Sequence, residues 1–464
     1  MACRIETHGT GPYSIQISRH PVGNFYRKIS SRRILHGRDE IVKILAYEIV
    51  VAMAGVSFAL ADDVVLVDNP ATPDELIADQ KTVIPCRMPV EFTSFRYPHF
   101  DADANVTFIG DDPYYRGGTK FGIYRSDGSS GQVVKLVSNE DMPGASPVAF
   151  VEFLGLQVDG RNFVFRGECA NGTAGIYGDF GKGLQTIADT TTHAAPAFGS
   201  FQSFGYADVS GDLVIFTATD GAKVPGIYSY DVGKRLLRRL VDSKAVLFDG
   251  SSISYFNGQP WVDEEAVVFR GRDESGRPAI YRIPRKSLSG PNPVDVEILL
   301  NHQTPMPVPM RILDLTSAPV EGGAVVFQAS GEDANGSSYA GIFFMKDGKI
   351  SVVADSRTEI PDENIAFKSF NKWVALQNGM VVFRAKDAAG FEGIFAFDIS
   401  RSELHQLITN RSLIGGRKIK SFEIASNPVV GSRIAFLAVF ADGRDSIYLA
   451  SLKNGKFASP QSAQ

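Results

Sequence analysis

Three arginines occupy one repeated sequence position and could together bind an anion. Arg166, Arg270 and Arg384 each follow directly on a Phe that ends a short apolar run. A planar guanidinium binds carboxylate or sulfate through two parallel hydrogen bonds. We therefore predict that these side chains point toward a central channel of the fold or its rim rather than outward, and that replacing any one with Ala would weaken an anionic ligand by about 1.5–3 kcal/mol. Ion pairing with an Asp or Glu of a neighbouring unit is the alternative interpretation.

Two histidines are candidates for acid–base chemistry. His193 and His302 follow equivalent apolar segments, and with a nearby Tyr they could serve as base and acid in a polysaccharide lyase. Solvated loop histidines would look the same in the sequence. The chain has no His-x-His, His-Glu-x-x-His or paired-Cys motif, so the sequence offers no support for a zinc enzyme and we expect no cofactor.

These residues belong to a unit that is repeated seven times. Each copy has an apolar triplet ending in Phe, and Gly-Ile-Tyr or a close variant follows it within 16 residues. A Phe-x-x-Phe segment precedes the triplet in most copies, and a Leu- and Val-rich segment follows the Gly-Ile-Tyr. The Phe that ends the triplet stands at Phe108, Phe165, Phe216, Phe269, Phe327, Phe383 and Phe436.

Four short β-prone runs in about 55 residues describe a four-stranded antiparallel unit. Seven such units in a ring form a β-propeller, whereas stacked units would form a solenoid. The apolar triplet is typical of a strand buried on both faces, which favours radial blades. The sequence therefore predicts an all-β fold, a single seven-bladed propeller over residues 62–464.

A polar motif follows the fourth run and predicts the turn that connects one blade to the next. Asp355-x-x-Thr358-x-x-Pro361 has counterparts that begin at Asp189, Asn301 and Thr409. An Asp or Asn side chain accepts a backbone N–H two residues on, and Pro fixes the exit. A ring of such carboxylates around the channel could instead hold a metal ion. Turns of this kind would place His193 and His302 on one face of the ring.

The two ends of the chain are expected to close the ring. Residues 76–85 match the fourth-strand pattern but have no third strand ahead of them, while the last unit lacks a good fourth strand. We predict that residues 76–85 pair with the C-terminal unit.

These repeats resemble those of secreted bacterial tandem-repeat proteins whose units read Asn-x-x-Gly-x-x-Ala-Phe, followed by a Gly-Ile-Tyr-like strand and a Val-Ala-Asp segment. Here Ile434-Ala435-Phe436 keeps the Ala before Phe, and Asp208-x-x-Gly211 is the nearest match to the start of the motif. The resemblance covers residues 64–452. It implies an exported, propeller-like domain and assigns no activity to any residue.

Residues 1–61 predict an export signal. Residues 1–40 hold seven basic and three acidic residues, and the uncharged stretch 49–60 is too short to span a membrane. Ala59 and Ala61 frame a cleavage site before Asp62. A translation start near Val42, a twin-arginine signal at Arg32-Arg33, and a retained segment stay open. We expect a secreted or periplasmic chain.

The remaining chain, residues 62–464, is acidic. The whole chain has a net charge of −5, residues 1–40 carry +4, and residues 41–61 add one base and one acid. Residues 62–464 therefore carry about −9. An acidic body opposes the phosphate backbone, and we expect no nucleic-acid partner. Once Cys3 is removed, Cys86 and Cys169 form an even pair that could make a disulfide in an oxidising compartment.

Taken together, these features predict a monomeric binding or interaction module, with carbohydrate or a protein surface as its ligand. An extracellular polysaccharide lyase is the alternative. A cluster of His, Tyr and Arg in the channel mouth would favour the enzyme.

Overall fold

The seven predicted units are seven antiparallel sheets. The computed structural model describes residues 75–80, 82, 92–101, 105–112, 120–126, 132–139, 141, 148–195, 199–247, 249–256, 258–289, 294–361, 363–431 and 433–451. The predicted export signal, its cleavage site and Cys86 lie outside the described residues. In each sheet the strands pair in the order inner, second, third and outer, and the sheets are called blades 1–7 here.

Blades 1–4 follow one another along the chain, and the inner strand of blade 4 is split in two. Blade 1 consists of Ser94–Phe100, Val106–Asp112, Lys120–Ser126 and Val133–Ser138. Blade 2 consists of Phe150–Asp159, Asn162–Cys169, Ala174–Asp179 and Leu184–Asp189. Blade 3 consists of Ser203–Ser210, Leu213–Thr219, Pro225–Asp231 and Leu236–Asp242. Blade 4 consists of Ile253–Phe256 with Trp261–Val262, then Ala266–Asp273, Pro278–Pro284 and Glu297–Leu300.

Blades 5–7 complete the ring, and the last borrows its outer strand from the N-terminal side. Blade 5 consists of Met310–Leu315 with Val320–Glu321, then Ala324–Asp333, Ser338–Lys346 and Lys349–Asp355. Blade 6 consists of Phe367–Gln377, Met380–Asp387, Glu392–Asp398 and Glu403–Thr409. Blade 7 consists of Arg417–Glu423 with Val429–Val430, then Arg433–Phe440, Asp445–Ser451 and Glu75–Asp79. A 3-10 turn, Arg285–Ser289, and the short strands His193–Ala195, Gly199–Ser200 and Leu413–Ile414 lie in the connections.

The apolar core lies between the blades. Seven clusters of buried side chains each join two consecutive blades. One of them joins blade 7 to blade 1, where Leu437 and Ile447 pack with Phe95 and Phe108. Each junction buries apolar side chains from both of its blades. Removal of this apolar surface from water therefore stabilises the ring at every junction between blades.

The repeated aromatic residues stack inside each blade. The Phe of the second strand lies opposite the aromatic residue of Gly-Ile-Tyr, as Phe216 does with Tyr228 at a centroid distance of 5.7 Å. The first Phe of the Phe-x-x-Phe segment then meets that Tyr edge-on, as Phe201 does at 4.9 Å and 83°. Offset stacks and edge-on contacts are the favoured aromatic geometries. The aromatic repeat therefore has a structural role inside each blade.

The glycine of Gly-Ile-Tyr is required by close backbone approach. A Cβ on Gly175 would lie 2.6 Å from the Ala188 carbonyl oxygen on the outer strand. Glycine is required for a different reason in the hairpin between the inner and second strands. Gly160 has a φ of 58°, a left-handed backbone conformation that is energetically easy only for glycine. Both positions are therefore set by the backbone.

The polar motif after the outer strand forms the predicted connecting turn. In blade 5 the Thr358 hydroxyl donates to Asp355 Oδ1 at 2.8 Å and accepts from the Asp355 N–H at 2.9 Å. Thr192 makes the same pair of bonds with Asp189. Since these carboxylates accept hydrogen bonds from their own turns, the turn interpretation holds. These turns lie on one end of the ring, which we name the crossover face.

Both ends of the chain meet in blade 7, as predicted. Glu75–Asp79 runs antiparallel to Asp445–Ser451, with Leu76 opposite Tyr448 and Ala78 opposite Ile447. Ile77 is 4% exposed and packs into the cluster that joins blades 7 and 1. The strand therefore closes the ring through both its ladder and its side chains. Residues 83–85 of the predicted segment lie outside the described residues.

A set of side-chain to backbone hydrogen bonds links the blades on the face opposite the crossover turns. The sequence did not predict these contacts. At five successive junctions, from blades 2/3 to 6/7, an oxygen-bearing side chain near the end of one inner strand accepts a backbone N–H of the next blade. We call these contacts clasps. They are Asp159 to Gly211, Asp208 to Val262, Asp263 to Gly323, Glu321 to Asn378 and Gly379, and Gln377 to Val429, at 2.5–3.2 Å.

Replacing Glu321 with Ala is expected to lower the free energy of unfolding by about 1–2 kcal/mol. The substitution removes two charge-assisted bonds, to the N–H groups of Asn378 at 2.6 Å and Gly379 at 3.0 Å, in a partly exposed place. Urea unfolding measures the change. Glu264→Ala, at an exposed position with no clasp, is the control, and equal losses in both variants would contradict a specific role for the clasp.

Candidate functional site

Bulges in the inner strands turn side chains into the central channel. In blades 1, 2, 3 and 6 the pairing between inner and second strand shifts register in mid-strand. A bulge bends its strand and re-aims the local side chains. Tyr97 of blade 1 adopts a left-handed φ of 54° in its bulge, a conformation that costs energy for a non-glycine residue and often marks a functional site.

These bulges line a cavity of about 590 Å³ in the channel. Its walls include residues from blades 1, 2, 3, 4, 6 and 7. Small-molecule sites in proteins have volumes of this order and combine apolar surface with a few placed polar groups. The channel cavity is therefore the candidate functional site.

Two exposed aromatic side chains meet edge to face in the cavity wall. Trp373 from blade 6 is 42% exposed and Tyr206 from blade 3 is 39% exposed. Their ring centroids are 6.3 Å apart, at an interplanar angle of 75°. Tyr206 also lies over Gly155 of blade 2, where an added Cβ would come within 3.0 Å of the Tyr206 ring. Glycine at that position thus leaves room for the ring.

Charged groups line the blade 6 and blade 7 side of the cavity. Arg384 pairs with Glu392 at 2.9 Å, and both side chains are largely buried. Burial raises the pKa of Glu423, while Arg384 and Arg96 oppose that shift. Burial also raises the pKa of Tyr97, and the neighbouring Tyr206 and Glu423 add to it. Tyr97 is therefore a hydrogen-bonding phenol and not a base at neutral pH.

Neutral polar groups that are almost wholly buried also line the cavity. His99 is fully buried, and burial lowers its pKa to about 3, with a smaller opposing effect of the Leu156 backbone. Gln259 is 2% exposed, and its Nε2 has no hydrogen-bond partner among the described residues. Buried donors in proteins normally have a partner. Both residues line the cavity, and their buried nitrogens leave hydrogen-bonding capacity unused among the described residues.

The structure gives the three predicted arginines different environments. Arg384 lines the cavity and pairs within its own blade. Arg166 likewise pairs with Glu168 of its own strand, at 3.2 Å. Arg270 is buried at the junction of blades 4 and 5, donates to the Leu315 carbonyl, and lies 5.7 Å from the Trp261 ring centroid. Of the three, all within the described residues, only Arg384 contributes to the wall of this cavity. The predicted role of the arginines in binding an anion stays a prediction.

The other sequence-predicted residues lie outside the cavity wall. His193 is exposed, with Nδ1 3.4 Å from the Ser200 hydroxyl, and His302 contacts Arg277. Both are in connections on the crossover face, as expected. Cys169 carries a buried free thiol whose pKa is raised by burial. Its pairing with Cys86, which lies outside the described residues, stays a prediction.

A simple signal could have located the cavity residues. Tyr97, Gly155 and Tyr206 each stand two residues after the second Phe of a Phe-x-x-Phe segment, and Trp373 stands three after. The segment marks the inner strand, but nothing in one sequence marks its bulge. The bulge depends on how many residues the inner strand has relative to its partner, which only the pairing shows.

The described residues show neither a metal cluster nor a membrane span. Within them, no group of three or more His, Cys, Asp or Glu side chains is arranged to hold a metal ion. In the same part of the chain, no helix is long and apolar enough to cross a membrane.

The strand pairing defines this protein as a seven-bladed β-propeller, and comparison with known proteins gives only distant likenesses of fold. No protein-family model matches the chain, and no curated protein matches it. The β-propeller domain of the Trilobed protease from Pyrococcus furiosus aligns over 77% of this chain and 95% of its own, at 11% identity and a TM-score of 0.48.

Two further solved structures align at a similarly low sequence identity. TolB from Acinetobacter baumannii aligns over 72% of this chain and 78% of its own, at 12% identity and a TM-score of 0.32. The acylaminoacyl peptidase of Pyrococcus horikoshii aligns over 79% of this chain but 52% of its own, at 12% identity and a TM-score of 0.46. The present chain thus matches about half of that peptidase. These likenesses assign no activity to it.

Proposed function

We propose that this propeller is an exported binding module whose central channel takes a carbohydrate. The exposed pair Trp373 and Tyr206 carries the proposal, because large aromatic rings held open to solvent in a cavity mark a binding surface. The rings present apolar faces with a polar edge. Sugars have the complementary shape, with C–H faces that stack on rings and hydroxyl groups at their edges.

The polar groups of the cavity support the same ligand class. Arg384 and Lys386 offer donors, Glu423 and Glu392 offer acceptors, and Asn371 offers both. Charges of both signs lie on the same side of the cavity. A mixture of donors and acceptors suits a ligand with many hydroxyl groups, each of which can donate and accept.

The polysaccharide lyase alternative draws less support from these groups. Tyr97, His99 and Arg384 do line one cavity, but a lyase base must lose its proton near neutral pH. The pKa of Tyr97 is raised and that of His99 lies near 3 because of burial. The tyrosine therefore keeps its proton, and the histidine is too weak a base to take one. Binding without turnover fits the site better.

Replacing Trp373 with Ala is expected to weaken sugar binding about 30-fold. Loss of a central aromatic contact costs about 2 kcal/mol, which corresponds to that factor. The measurement is calorimetric titration of the full chain with maltohexaose, mannohexaose and hexagalacturonate, with the release of unsaturated products followed in parallel.

The matched control is Tyr255→Ala, which removes an aromatic side chain that is 54% exposed and lies outside the cavity wall. It should bind sugars as the unaltered chain does. If none of the three sugars binds, or if both variants bind as the unaltered chain does, the proposal is wrong. Release of unsaturated products would establish the lyase instead.

A further inference from the structure

The bulge in blade 6 brings a lysine into the cavity wall beside the exposed tryptophan. Three residues of the inner strand, 371–373, stand opposite Arg384 alone on the second strand. Successive side chains of a regular strand point to opposite faces, and a bulge interrupts that alternation. Lys372 and Trp373 are adjacent in the chain, yet both line the cavity. The bulge thus adds a basic side chain to the same wall as the aromatic ring.

A second lysine of blade 6 lines the same cavity. Lys386 lies on the second strand, opposite Ser369 of the inner strand, and both residues belong to the cavity wall. Lys372 and Lys386 are exposed. Neither lysine side chain forms an ion pair or a hydrogen bond with another residue in the part of the chain that the structure describes. Both are therefore within reach of water and of a ligand.

The two glutamates of the wall are matched by arginines and not by these lysines. Glu392 lies opposite Lys386 in the strand ladder, but its carboxylate accepts from Arg384 at 2.9 Å. Burial raises the pKa of Glu423, and the charges that oppose this rise are those of Arg384 and Arg96. Among the described residues, the wall thus holds two lysines without a counter-ion, while each of its glutamates has an arginine nearby.

The charge of the wall is opposite in sign to that of the chain around it. Residues 62–464 carry about −9, whereas the wall has three lysine and arginine residues against two glutamates. An anion that reaches the two lysines gains charge-assisted hydrogen bonds without breaking an existing ion pair. The cavity therefore offers an anionic ligand more than it offers a neutral one.

We propose that the channel binds anionic carbohydrate, with Lys372 and Lys386 holding the carboxylate or sulfate groups of sugars that stack on Trp373. This inference rests on the proposed carbohydrate function and deepens it. An ammonium group is a compact charge with three donors that rotate freely, so it accepts carboxylate and sulfate oxygens alike. The shared chemistry is a negative charge on the sugar ring.

Two pairs of hexasaccharides that differ in charge test the proposal. One pair is hexagalacturonate and its fully methyl-esterified form, and the other is a sulfated galactan hexasaccharide and its desulfated form. Each is titrated calorimetrically into the full chain at neutral pH, at low and at high salt. In at least one pair the charged member should bind about tenfold or more tightly than the uncharged one. The preference should shrink at high salt, and the pair that shows it identifies the group as carboxylate or sulfate.

Variants of the two lysines provide the second measurement. Lys372→Met and Lys386→Met should each weaken binding of the preferred charged sugar about tenfold and leave the uncharged member within about twofold. The matched control is Lys368→Met, an exposed lysine on the same inner strand that lies outside the cavity wall. It should bind all four sugars as the unaltered chain does. Melting temperatures close to that of the unaltered chain show that the variants are folded.

Equal binding of the charged and uncharged members of both pairs would overturn the preference for anions. A loss in the two lysine variants no greater than in Lys368→Met would overturn the role of the lysines. In either case, weaker sugar binding by Trp373→Ala leaves the carbohydrate function standing. If no hexasaccharide binds, both proposals fail.

Discussion

Replacing Ile77 with aspartate is expected to lower the free energy of unfolding by about 3–5 kcal/mol and the melting temperature by roughly 5 °C or more. Ile77 is 4% exposed in the strand that closes the ring, where it packs in the cluster joining blades 7 and 1. Aspartate removes that apolar contact and places a carboxylate in an apolar site. It also loosens the strand that covers Asp445–Ser451, whose unpaired edge would then promote aggregation.

Differential scanning calorimetry and size-exclusion chromatography measure both effects. Val134→Asp is the matched control, because Val134 lies on the outer strand of blade 1 but is 46% exposed. Its melting temperature should stay within about a degree of that of the unaltered chain, as is usual for exposed sites. If Ile77→Asp melts no lower than Val134→Asp and stays monomeric, the closing strand does not hold the ring together.

The second large effect is a loss of stability as pH rises, caused by Asp208. Burial raises the pKa of this carboxyl to about 8, against the lowering effect of the Val262 and Val209 N–H groups, and nearby Asp159 and Asp263 add to the rise. In the unfolded chain an aspartate has a pKa of about 3.9. The folded chain thus holds a proton that the unfolded chain has lost between about pH 4 and pH 8. The stabilisation is complete below pH 4 and is lost as pH rises through 8.

Asp208→Asn should therefore flatten the pH dependence and raise the melting temperature at pH 8. The asparagine carbonyl can still accept the Val262 N–H, now at 2.9 Å from Asp208 Oδ2, without a buried charge. Melting temperatures at half-unit steps from pH 5 to pH 8.5 measure the slope, which at most corresponds to about 1.4 kcal/mol per pH unit. Glu321→Gln makes the same chemical change at a partly exposed clasp. Equal changes of slope in both variants would rule out a special role for Asp208.

The sequence was sufficient to predict the seven blades and the strand that closes the ring, but not the residues that line the cavity. Residues such as Phe216 and Tyr228 recur at fixed spacing because each blade must stack the same rings, so their period reports the fold directly. Tyr206 and Trp373 follow the repeated Phe-x-x-Phe segment closely, but they stand in bulges, and the geometry that turns them into the cavity depends on strand pairing.

The arginines show what a repeated position does not determine. Arg166, Arg270 and Arg384 share a position after the repeated Phe, and the shared position suggested a shared role. Their partners differ: Arg166 pairs with Glu168 of its own strand, whereas the partners of the other two come from other strands. Arg270 lies against the Gly258 backbone and donates to Leu315, while Arg384 meets Glu392. Repetition thus fixes the backbone position of a side chain and leaves its surroundings free to vary.

The closing strand also makes the contacts of one blade far less local than those of the others. Glu75–Asp79 pairs with Asp445–Ser451, the most distant partners in the described chain. Six blades are built from contiguous sequence, whereas the seventh needs segments from both ends of the described chain. Bringing such distant segments together costs loop-closure entropy and slows folding, so we expect closure of blade 7 to limit the folding rate.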